Sequence, residues 1–81
     1  MDDAPPHDAE LDARGLLCPL PVLKTRKRLS ALPPGAVLKL EADDPAALVD
    51  VPHFCTEQGH ELVASGTNGS VGLLFWIRRK A

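Results

Sequence analysis

The chain has 81 residues, 44% of them hydrophobic and 25% charged, and a net charge of −2. A chain this short buries only about 60% of the surface it exposes when unfolded, so one domain with a single thin core is expected. The charge excludes a global basic field that would draw the protein onto nucleic acid. No apolar run approaches the roughly 20 residues that span a bilayer.

The opening MDDAPPHDAE is acidic and aperiodic, which predicts a flexible tail over residues 1–8 and a single domain over 9–81. It lacks the positive and apolar regions of a secretion signal, so a cytoplasmic location is expected. Ala9, Leu11 and Ala13 alternate with Glu10 and Asp12, as in a short strand with one buried face, and Gly15 ends it. Pro19 suits the first position of a helix, where its missing N–H has no partner to lose, and Pro21 still falls in the first turn. Val22, Thr25, Leu29 and Leu32 continue at helical spacing until the PPG of 33–35 stops the helix.

AVLKLEA, 36–42, reads as a second strand with Leu38 and Leu40 inward. DDP at 43–45 is an acid-capped helix start. Pro52 interrupts the segment after it, which predicts a short turn near 45–49 and then a helix over 51–58 ended by Gly59. HELVAS, 60–65, and SVGLLFWIRR, 70–79, are strands, with GTNG as the hairpin turn between them. Val71, Leu73, Phe75 and Ile77 are expected to face the helices, leaving Leu74 and Trp76 on a face that nothing covers. The order β-α-β-α-β-β implies an α+β two-layer sandwich, two helices on one face of a four-stranded mixed sheet.

The chemistry gathers at GLLCPLP, 15–21. With Cys18 at the N-cap of the first helix, backbone N–H groups and the positive end of the dipole favour its thiolate, the nucleophilic form. The alternative is a structural helix start in which cysteine is a small apolar filler. Cys55, spaced from Leu48 and Val51 at i, i+3, i+7, reads as core. No CxxC is present, both cysteines are expected as free thiols, and His7, His53 and His60 show no paired ligand spacing, so neither metal nor cofactor is expected. Lys24, Lys27 and Arg28 belong to a basic run with three readings: a solvated helix face, a docking patch for an acidic partner, or an RNA contact. No aromatic residue interleaves with that run as single-strand binding requires.

LDARGLLCPLPVLKTRKRL and ADDPAALVDVPHFCTEQGHELVAS together resemble the TusA (SirA-like) sulfur-carrier family, closely over residues 11–66 and loosely in the final strand. The resemblance implies a covalent carrier, with Cys18 of the CPxP motif taking sulfane sulfur as a persulfide from a cysteine desulfurase or other donor. Gly15, Pro19 and Pro21 would support that cysteine. It implies delivery to a DsrE-like relay protein and onward to tRNA 2-thiouridine formation; molybdenum cofactor assembly and sulfur oxidation are other branches. The chain would be a monomeric sulfurtransferase-type carrier rather than an independent multiple-turnover enzyme, with no direct nucleic-acid or membrane contact. Leu17 and Leu20 stand where close members frequently have polar or charged residues. The competing class is a small regulatory or RNA-binding module in which CPLP is only structural.

Overall fold

The computed structural model describes residues 5–69 and 72–81. Its elements run β1 (Ala9–Asp12), α1 (Leu20–Ser30), β2 (Val37–Ala42), α2 (Ala47–Gln58), β3 (Glu61–Asn68) and β4 (Gly72–Arg78). The sheet order is β1-β2-β4-β3, with β1 parallel to β2 and the other pairs antiparallel. This is the expected mixed sheet with two helices.

Strand alternation decides the core. Leu38 pairs with Ile77 and Leu40 with Phe75, and all four are buried in one cluster with Leu29 of α1 and Val51, Phe54 and Cys55 of α2. The molecule is only 18 Å thick in its shortest direction, room for one sheet and one helical layer. In α1 the buried positions are Pro21, Thr25 and Leu29. Thr25 is fully buried because its hydroxyl donates to the Pro21 carbonyl at 2.7 Å, which removes the penalty for an unpaired polar group.

The structure corrects the second helix. It is continuous from Ala47 to Gln58 with Pro52 inside it, rather than a turn followed by a helix from residue 51. An interior proline costs about 3 kcal/mol. The carbonyl it leaves unbonded is that of Leu48, whose side chain is 59% exposed, so water reaches that flank. Burial of Val51 and Phe54 contributes about 1.5–3 kcal/mol each, enough to outweigh the loss. The longer helix also resets its phase. Its inward stripe is Ala47, Val51, Phe54 and Cys55, and Leu48, expected in the core, faces out. Gly59 does end the helix, in a left-handed conformation (φ 77°) that would strain a residue carrying a side chain.

The hairpin is corrected too. β3 continues through Gly66 and Thr67 to Asn68, which pairs with Gly72, so of GTNG only Gly69 lies outside the strand. Ser70 and Val71, with the expected inward face of Val71, lie outside the described residues. Trp76 pairs with Lys39 and Leu74 with Glu41, on the side away from the helices as expected. Trp76 is nevertheless buried there: Lys39 Nζ stands 5.8 Å from its ring centroid, a cation lying over an apolar face. Asp8, in the expected tail, exchanges hydrogen bonds with Val37 at 2.8 Å.

Candidate functional site

Because β1 and β2 are parallel, the loops that leave their C-terminal ends emerge side by side. Those loops are LDARGLLCPLP and ADDPA, and side chains of the second hold the backbone of the first. Asp12 accepts from the Arg14 backbone N–H at 3.1 Å and from its guanidinium at 2.9 Å, which curls the chain out of β1. Those bonds hold the Asp12 carboxyl down at about 2. Gly15 then turns at φ 81°, a region that favours glycine, and its N–H donates to Asp43 Oδ1 at 2.9 Å. The Cys18 N–H donates to Asp44 Oδ2 at 2.7 Å, while Asp44 Oδ1 accepts from the Ala46 N–H at 3.1 Å. One carboxylate therefore joins the Cys18 loop to the start of α2.

Cys18 is exposed, but its setting differs from the expected one. Pro19, not Cys18, is the N-cap of α1, and the Cys18–Pro19 peptide is cis. The Leu20 N–H is bonded to the Leu17 carbonyl at 2.8 Å and so is not free for the sulfur. A hydrogen bond to Asp50 comes first, then desolvation and the negative charges of Asp50 and Asp44; together they raise the Cys18 pKa rather than lower it. The carboxylates that raise it come from a segment distant in the chain. The free thiol is thus stored in its neutral form at neutral pH.

Cys18 opens into a cleft of about 200 Å³ between the helices, walled by Pro19 and Val22 on α1 and by Asp50, His53, Phe54 and Glu57 on α2. His53 stands 3.5 Å from Glu57. A larger hollow of about 260 Å³ lies on the other flank of α1, where Lys24, Lys27, Arg28 and Ala31 overhang Leu11 of β1. It has the cations without the nucleophile. The structure therefore brings Cys18, Pro19 and the acidic residues of α2 together, and leaves the basic run on a separate face. None of the three cations has an ion-pair partner among the described residues. Pro21 is buried on the inward face of the first turn of α1, where its carbonyl accepts the Thr25 hydroxyl.

Cys55 is core as expected, 2% exposed, and burial pushes its thiol up to about 11. The histidines are dispersed: His7 bonds Glu10 at 2.7 Å, and His60 accepts from the Lys80 N–H at 3.0 Å. Among the described residues no three His, Cys, Asp or Glu side chains cluster as a metal site would need. No helix there is long and apolar enough to cross a membrane.

The family model described as Sulfurtransferase TusA matches residues 9–79. The chain belongs to the TusA family. The sulfur carrier protein TusA of Pseudomonas syringae pv. tomato is 47% identical over 74 residues, which cover 91% of this chain and 87% of that protein. The sulfur carrier protein TusA of Pseudomonas paraeruginosa is 46% identical over 76 residues, 94% of this chain and 95% of that one. The crystal structure of a SirA-like protein from Desulfitobacterium hafniense matches with a TM-score of 0.80 at 20% identity, covering 91% of this chain and 100% of that one. At that identity the likeness speaks for the fold alone.

Sequence reasoning about this TusA-family chain missed three carboxylates at the cysteine and its loop: Asp44 and Asp50 at Cys18, and Asp43 at Gly15. A signal for two of them was available. Acids that open the segment after β2 must lie beside the loop after β1 once those strands are paired in parallel. Asp50 gave no such signal, because its direction depends on α2 continuing through Pro52.

Proposed function

We propose that this protein is a sulfur carrier that accepts sulfane sulfur as a persulfide on Cys18 and passes it to a second protein. The observation that carries this reading is the contrast between its thiols. Cys18 is exposed at the mouth of a cleft on a loop held by Asp43 and Asp44, while Cys55 is sealed in the core. A carrier needs an accessible sulfur and no nearby thiol that would resolve the persulfide into a disulfide. The names of the Pseudomonas relatives support the same role. Leu17 and Leu20 beside the thiol are 68% and 44% exposed, an apolar rim suited to a protein partner.

The donor in this reading is a cysteine desulfurase or another persulfide-bearing sulfurtransferase. The acceptor is a DsrE-like relay protein serving tRNA 2-thiouridine formation. Lys24, Lys27 and Arg28 would steer acidic surfaces of such partners from the adjoining face. The RNA-binding alternative is disfavoured because Phe54, Phe75 and Trp76 are all buried and offer no stacking platform.

The test is intact-mass measurement after incubation with a desulfurase and cysteine. The wild type should gain one sulfur, Cys55→Ala should gain it equally, and Cys18→Ser should gain none. Sulfur retained on Cys18→Ser would overturn the assignment.

A further inference from the structure

A carboxylate is an unexpected neighbour for a sulfur that has to react as an anion. Asp50, in the first turn of α2, shares the cleft with Cys18. Asp44 holds the Cys18 N–H from the same side. His53 and Glu57 complete the titratable groups of that wall, and α1 contributes only the uncharged Pro19 and Val22. His53 is near Glu57, which leaves Asp50 as the carboxylate of that wall with no ion-pair partner among the described residues, sharing the cleft with the thiol.

A carboxylate beside a sulfur favours whichever form of that sulfur is neutral. The free carrier holds a thiol, neutral and able to donate a hydrogen bond. A persulfide is a stronger acid than the corresponding thiol, so the loaded carrier has negative charge on its terminal sulfur at neutral pH. Asp50, across the same cleft, repels it. Resting on the persulfide reading of Cys18, we propose that Asp50 limits how firmly the carrier holds its sulfur: it favours the unloaded thiol over the loaded anion and so keeps the persulfide poised for transfer.

The exchange balances without an outside oxidant. In loading, the Cys18 sulfur attacks the terminal sulfur of a donor persulfide R–S–S⁻. The donor S–S bond breaks, a new S–S bond forms at Cys18, and the Cys18 proton ends on the departing sulfur as R–SH. In delivery an acceptor thiol attacks the terminal sulfur of Cys18–S–S⁻. Cys18 departs as a thiolate and takes up the acceptor's proton, and the neutral thiol then faces Asp50 without repulsion. The transferred sulfur keeps its oxidation state throughout. Asp50 acts through Cys18 and touches no substrate, so it is a positioning residue.

Two measurements on Asp50→Asn and Asp50→Glu test this, with circular dichroism as the check on folding. The first is the pH profile of Cys18 alkylation by iodoacetamide, which needs no sulfur chemistry. A unit charge near the sulfur, screened by water, corresponds to roughly a fivefold change in an equilibrium. Asp50→Asn should therefore alkylate roughly fivefold faster near neutral pH, with its profile displaced to lower pH, and Asp50→Glu should restore the wild-type profile. The second is a competition in one tube: isotopically labelled wild type and Asp50→Asn share limiting sulfur from a desulfurase and are weighed at equilibrium. The variant should hold roughly fivefold more of the persulfide. Superposed alkylation profiles, or an equal division of sulfur, would overturn the role of Asp50 while leaving the carrier reading intact. Failure of the wild type to take up sulfur at all would remove the carrier reading, and this proposal with it.

Discussion

Replacing Asp44 with alanine removes one side chain that makes two backbone bonds, and the structure allows its effect to be sized. The bond from the Ala46 N–H at 3.1 Å is a capping interaction at the entry to α2, worth about 1 kcal/mol. The bond from the Cys18 N–H at 2.7 Å has a charged acceptor but lies in an exposed loop, which places it near the low end of such bonds, about 1.5 kcal/mol. The loss should therefore be roughly 2–3 kcal/mol. For a domain of this size that corresponds to a fall in melting temperature of about 10–20 °C. Asp44→Asn retains one acceptor oxygen and should lose about half as much. Thermal unfolding followed by circular dichroism measures both, and sulfur acceptance below the transition should fall more in Asp44→Ala than in Asp44→Asn. A melting temperature within about 2 °C of wild type for Asp44→Ala would refute the bridge between the two loops.

Reversing Lys27 and Arg28 to Glu should slow sulfur acceptance at low ionic strength, with the gap closing as salt is added, because steering by exposed charge is screened. The same change puts acids in the last turn of α1, where the dipole disfavours them, so a small loss of melting temperature should accompany it. A salt-independent defect would mean that the cations make direct contacts rather than steer. The Asp12 carboxyl lies below its ordinary 3.8, at about 2 in the folded chain, chiefly through its side-chain bond to Arg14. Its stabilisation is therefore complete above about pH 4 and lost as pH falls toward 2. Melting temperatures of wild type and Asp12→Asn should converge over that window, and a gap that stays constant down to about pH 2 would exclude the ion pair as the cause.

Much of this fold depends only on neighbours along the chain and was legible in them. Alternation placed Leu38 and Leu40 in the core, Gly59 marked the end of α2, and Pro19 and Pro21 marked the start of α1. The exposed Cys18 and the buried Cys55 were legible for the same local reasons, a loop before a proline-led helix and an apolar stripe of which Val51 and Cys55, though not Leu48, turn inward. The continuity of α2 through Pro52 was not legible, because a local penalty of about 3 kcal/mol is outweighed only by the burial of Val51 and Phe54 against the sheet. That continuity aims Asp50 at Cys18, and the parallel pairing of β1 with β2 brings Asp44 to its N–H. Long-range packing thus puts carboxylates beside the thiol, and they raise its pKa. It also put Lys24, Lys27 and Arg28 over β1 while Cys18 opens toward α2, because α1 packs between them. Spacing along a chain says which residues share a helix face, but charge acts through space, and the carboxylates that act on the Cys18 thiol come from a segment more than twenty residues away.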